Sequence, residues 1–105
     1  MKFKQQYPFE NRKTESDRVI EKYPDRIPVI VERTKRSKVP NIDRNKFLVP
    51  NNLTMGQFVY VIRKRIRIEA EKAIFLFVNK QILCNTSTLS EVYAHHSDND
   101  GFLYV

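Results

Sequence analysis

Cys84, His95 and His96 are the side chains here with the strongest claim to covalent or metal chemistry. A cysteine becomes a nucleophile beside a histidine only when the imidazole reaches its sulfur, and nothing in the spacing brings Cys84 to either ring. Adjacent residues on a helix diverge by about 100°, so His95 and His96 cannot aim at one ion from a helix. No CxxC or HxxxH spacing accompanies them, and all three are read as structural or solvated. Asp98, Asp100 and Gly101 fall in phase with the opening of a calcium loop, but His96 stands at its first ligand position. The closing glutamate of such a loop would fall past Val105. No catalytic constellation, metal or cofactor is expected, and the chain is not read as an enzyme.

The elements that must carry any other site come from a chain of 105 residues, enough for one domain. Hydrophobic residues make up 41% and charged residues 30%, a globular balance. Nineteen Lys and Arg against twelve acidic residues leave a net charge of +7. That excess favours acidic partners without choosing among nucleic acid, anionic lipid and acidic peptide. Cys84 is the only cysteine, so no internal disulfide is available and a reducing compartment is expected. Met1–Gln6 carries no apolar signal region, and every apolar run is strand-length, far below the roughly 20 residues that span a bilayer.

Residues 1–24 read as a helical extension: Pro8 separates two short helices and Pro24 ends the second. Residues 25–105 read as one globular unit. Arg26–Arg33 is a β-branched strand in which Pro28 argues for an edge position. A basic loop from Thr34 leads to the strand Lys46–Val49, stopped by Pro50. Thr54 caps the main helix, whose Met55, Phe58, Val59, Ile62 and Ile66 form one apolar face. Ile74–Val78 is a continuous apolar strand, and Ile82–Cys84 a short further one. Thr88 and Glu91 have capping-box spacing for a brief helix. Asp100-Gly101 turns the chain into a last strand, Phe102–Val105. This order predicts an α+β, ubiquitin-like β-grasp: a mixed four-stranded sheet with one main packed helix, preceded by two short N-terminal helices.

Five blocks add a more specific likeness: Tyr23–Glu32, Lys46–Pro50, Leu53–Phe58, Ile62–Ile66 and Asp100–Tyr104. In order and spacing they resemble the lipid-conjugated ubiquitin-like autophagy modifiers, of the GABA-receptor-associated protein and microtubule-associated light chain type. Members usually carry a proline pair where this chain has Leu83-Cys84. They also continue past the position of Val105 to a glycine that is joined to phosphatidylethanolamine, whereas the glycines here are Gly56 and Gly101. The expectation is that the 105-residue chain itself takes no lipid.

The resemblance implies a groove beside Lys46–Val49 that takes aromatic-x-x-aliphatic peptides by strand addition. Glu15, Val19, Pro28, Ile30, Lys46, Leu48 and Phe102 would form its aromatic pocket. Phe47, Val49, Pro50, Leu53, Phe58 and Val61 would form its aliphatic pocket. Arg26, Arg44, Lys46 and Arg65 would meet acidic residues flanking the motif. Phe75 and Phe77 would serve a second docking surface, although as alternate residues of an apolar strand they read more simply as buried core. The implied partners are short motifs of autophagy receptors and adaptors, the activating, conjugating and processing enzymes of the conjugation system, and a phosphatidylethanolamine membrane for members with the full tail. The implied location is cytoplasmic, partly on autophagosomal membranes. The alternative is a basic nucleic-acid-binding α+β domain, although the element order is not that of an RNA-recognition module.

Overall fold

The computed structural model describes residues 2–33, 45–66 and 74–105. Its elements are α1 (Lys2–Gln6), α2 (Phe9–Lys22), β1 (Arg26–Ile30), β2 (Lys46–Pro50), α3 (Met55–Arg65), β3 (Phe77–Val78), β4 (Gln81–Ile82), α4 (Leu89–His96) and β5 (Leu103–Tyr104). Of the two N-terminal helices only α1 is short; α2 runs for 14 residues.

The main sheet has strand order β2-β1-β5, with β1 antiparallel to β2 and parallel to β5. Alternation along β1 sends Ile27, Val29 and Val31 to one face, where they join Met55, Phe58, Ile62 and Ile66 of the α3 region and Leu89 and Val92 of α4. Ile30 points to the other face and packs with Phe3, Phe102 and Tyr104. Both faces of the sheet are therefore covered, which withdraws support from the nucleic-acid alternative: an RNA-recognition sheet keeps one face open for stacking bases.

Pro28 was expected to mark an edge, yet β1 is the central strand. The register explains why. Val31 N–H donates to Asn45 O at 2.8 Å, so the hydrogen-bonded pairs toward β2 are the odd-numbered residues of β1. Pro28 lies opposite Leu48 in a non-hydrogen-bonded pair and faces β5, where the first registered pair is Val29↔Leu103. The missing N–H falls just before the ladder starts and costs no bond.

The four-stranded sheet needs correction within the described residues: the main sheet has three strands, and β3 pairs only with β4. The expected strand over Ile74–Val78 is laddered only at Phe77–Val78. Asn79 and Lys80 both have positive φ, 51° and 65°, which makes the tight two-residue hairpin turn whose twist suits antiparallel strands. That turn also brings the following strand forward to Gln81–Ile82 from the expected Ile82–Cys84.

The complete capping box forms at Thr54: its hydroxyl accepts Gln57 N–H, and the Gln57 side chain accepts Thr54 N–H at 2.9 Å. Thr88 accepts Glu91 N–H at 3.2 Å. The starts of α3 and α4 also satisfy each other, through Met55 N–H to Ser87 O and Leu89 N–H to Leu53 O.

At the other end of the molecule, Glu32 accepts the N–H groups of Lys2 and Phe3, and Lys4 Nζ meets Asp98 Oδ1 at 2.5 Å. Burial pushes the Asp98 carboxyl up, but the Lys4 hydrogen bond and the Asp100 N–H outweigh it, and the net shift is downward. A carboxyl with a depressed folded-state pKa stabilises the fold above its unfolded value of 3.8 and loses that contribution as pH falls through the folded value. Between about pH 5 and about pH 3, urea melts of the unmodified chain should lose more stability than those of Lys4→Met. Equal losses would mean the clasp on α1 has no energetic weight.

Candidate functional site

No described strand lies beyond β2, so its outer side is the open side of the sheet. Because Asn45, Phe47 and Val49 stand in the hydrogen-bonded pairs with β1, the main-chain groups of Lys46 and Leu48 are turned outward. This is the geometry that accepts an added strand. One outward group already has a partner: Leu48 O accepts Arg26 Nη1 at 3.1 Å.

The residues of the implied aromatic pocket come together on the α2 side of the sheet. Glu15 and Val19 lie one turn apart on α2, half-buried, as are Lys46 and Leu48 of β2. Pro28, Ile30 and Phe102 are buried beneath them. Lys46 Nζ spans the site, 2.8 Å from Glu15 Oε1 and 5.5 and 5.6 Å from the Phe3 and Tyr7 rings. With both side chains close to half exposed, the Lys46–Glu15 pair is solvent-screened and open to exchange. Phe3 and Tyr7 were not expected at this site; their i,i+4 spacing next to a proline was the available signal.

The implied aliphatic pocket divides. Phe47 and Val49 are buried in the main core, and the Phe47 ring meets Phe58 edge-on at 5.9 Å. Phe58 is fully buried, and Leu53 and Val61 are half-buried against the same core. Pro50 is exposed and shares the strand face of Lys46 and Leu48, two residues apart each time, so the structure does not place it with Phe47 and Val49. Among the cationic residues, Arg26 and Lys46 occupy the α2 face, whereas Arg65 ends α3 on the other side of the sheet. Arg44 lies outside the described residues.

Phe102 is held in place by Asp100, which is fully buried. Asp100 Oδ1 accepts Phe102 N–H at 2.9 Å, and Oδ2 accepts Arg12 Nη1 at 2.7 Å and the Tyr104 hydroxyl at 2.5 Å. Burial and the hydrogen bond to Asp100 push the Tyr104 phenol well above its usual range, so it stays a neutral donor. The Ser16 hydroxyl donates to the Asp100 carbonyl, and Gly101 has φ +91°. A Cβ at Gly101 would stand 2.3 Å from Ser16 Oγ, so this turn admits only glycine. The aspartate that sequence offered as a calcium ligand is the tie between α2 and β5.

Comparison with known proteins now adds to this geometry. The family model described as "Autophagy protein Atg8 ubiquitin like" matches residues 11–105. The chain belongs to the Atg8 family. Autophagy-related protein 8 of Kluyveromyces marxianus is 57% identical over 103 residues, spanning 98% of this chain and 83% of that one. Autophagy-related protein 8c of Arabidopsis thaliana is 58% identical, with 98% and 87% covered. The crystal structure of Trypanosoma brucei ATG8 superposes with a TM-score of 0.95 at 43% identity, covering 99% of this chain and 90% of that one. Plasmodium falciparum Atg8, solved in complex with a Plasmodium falciparum Atg3 peptide, gives 0.89 at 36% identity, with 97% and 90% covered.

In this Atg8-family chain Phe75 and Phe77 are not core. They are 65% and 41% exposed, while Ile74, Leu76 and Val78 turn inward, and Ile82 adds a further exposed apolar side chain. Cys84 Sγ lies 3.0 Å from Thr86 Oγ1, and the Thr86 hydroxyl and N–H hold the thiol below its ordinary pKa. His96 Nδ1 lies 3.1 Å from Asn79 Nδ2 and secures the β3–β4 turn to α4.

Proposed function

We propose that this Atg8-family chain is an autophagy modifier and adaptor, not a catalyst, that captures aromatic-x-x-aliphatic peptides by adding them as a strand to β2. The observation that carries this reading is the outward-facing main chain of Leu48 on the outermost described strand. Half-buried Val19, Lys46 and Leu48 line one side of that edge, and half-buried Leu53 and Val61 belong to the apolar mass on the other. The Plasmodium falciparum relative's complex with an Atg3 peptide supports a peptide as the occupant. No helix among the described residues is long and apolar enough to cross a membrane. Presence on autophagosomal membranes, in this reading, comes from the conjugation system acting on family members. The exposure of Phe75 and Phe77 supports a second, separate docking surface for helical motifs.

Two buried side chains at about 1.5–3 kcal/mol each and a few strand bonds, less the cost of association, put the expected affinity near micromolar, about −8 kcal/mol. Leu48→Ala removes a half-buried wall of the aromatic pocket and should weaken binding about tenfold with little change in melting. Calorimetry against a panel of such peptides is the test. No binding by the unmodified chain would sink the adaptor reading, and salt-sensitive RNA binding in its place would revive the nucleic-acid one.

A further inference from the structure

We propose that Asp100 sets the width of the aromatic pocket, with Arg12 and Ser16 of α2 as positioning residues that act through it. This deepens the strand-addition reading above and rests on it. The pocket has its wall on α2, at Glu15 and Val19, and its floor at Phe102, just before β5. Asp100 holds both. On the floor side its Oδ1 accepts Phe102 N–H at 2.9 Å. On the wall side its Oδ2 accepts Arg12 Nη1 at 2.7 Å, and its carbonyl accepts the Ser16 hydroxyl.

Apolar packing does not seat α2. Ser16 is the one buried residue of the helix, and Val19 and Ile20 are only half-buried. A helix without a buried apolar side chain takes its seat from buried hydrogen bonds, which constrain both distance and angle. The Glu15–Lys46 pair also links α2 to β2, but it is solvent-screened. Arg12, Glu15, Ser16 and Val19 fall within about 100° of one another around the helix, so the tied face is the face that lines the pocket. Arg12 and Ser16, one turn apart, therefore set how far Val19 stands from Phe102. The aliphatic side has no such dependence, because Leu53 and Val61 rest on the main core.

Peptide titrations followed by NMR test this, with an aromatic-x-x-aliphatic peptide and two versions carrying alanine at one anchor or the other. The fold-loss on each replacement gives that anchor's contribution. In Arg12→Met the aromatic anchor's contribution should fall about tenfold, a coupling of ordinary size for residues joined through a shared partner, with the aliphatic one unchanged. Arg12→Lys keeps one charged donor and should recover most of it. Ser16→Ala keeps the Arg12–Asp100 pair and should lower the aromatic contribution about threefold, which serves should Arg12→Met fail to fold. Val92→Ala, in the main core on the other face of the sheet, should lose stability and leave both contributions alone. An undiminished aromatic contribution in the folded α2 variants, an equal fall at both anchors, or the same selective fall in Val92→Ala overturns the proposal. Should the unmodified chain bind none of the peptides, the strand-addition reading falls and the proposal with it. Binding with the wrong pattern removes the Asp100 proposal alone.

Discussion

Replacing Asp100 with alanine should destabilise the fold by about 3–5 kcal/mol, the cost of removing one partner from a buried ion pair. Asp100 is fully buried and the Arg12 side chain is only 11% exposed, so alanine leaves the guanidinium without its carboxylate. The Tyr104 hydroxyl and Phe102 N–H lose their acceptor at the same time. Domains of this size have about 5–15 kcal/mol in all, so the variant should be near the limit of folding. Urea unfolding gives the measurement, and adding Arg12→Met should restore part of the loss by removing the stranded charge. A loss below about 1 kcal/mol would show that Asp100 is not the tie described here.

Phe58→Ala should cost a similar about 3–5 kcal/mol for a different reason. Its ring is fully buried, supports Phe47 of β2 from beneath, and cannot be replaced by neighbouring side chains without moving the strand. Tyr60, two residues further along α3, is 61% exposed with Lys64 Nζ 4.5 Å from its ring centroid. Tyr60→Ala should change stability by no more than about 0.5 kcal/mol. Thermal melts of the two variants check the contrast. Comparable losses would mean that α3 does not present the face assigned to it.

The apolar face of α3 was legible because the period alone selects it: of the five residues assigned to it, Met55, Phe58, Ile62 and Ile66 are buried, and only Val59 is half-buried outside the core. The central strand β1 was legible from its β-branched residues, and the edge strand β2 from a short apolar run stopped by Pro50. Other features had little or no local signal. Asn79-Lys80 carries no glycine, so Asn79 was the one local hint of a turn with two positive φ angles. Glu32 caps a helix that begins 30 positions earlier, a pairing only the folded sheet creates. Phe75 and Phe77 were misjudged because a continuous apolar run hides its own alternation, and a one-sided strand then passes for core. Pro50 could have been placed from parity with Lys46 and Leu48, had the strand been counted through its terminating proline.

The pairing of β1 with β5 also dictates when the molecule can be finished. The first strand of the sheet takes its parallel neighbour from the far end of the chain. Phe3, Lys4, Arg12 and Ser16 likewise find Phe102, Asp98 and Asp100 there. During translation α1 and α2 emerge long before residues 98–104, and these particular contacts wait until that segment has been made. Contacts of such long sequence separation slow folding, because the loop must close before any of them forms. Until then the nascent chain carries Phe3 and the Ile30 side of β1 without Phe102 and Tyr104 to cover them, the interval in which a chaperone has most to do.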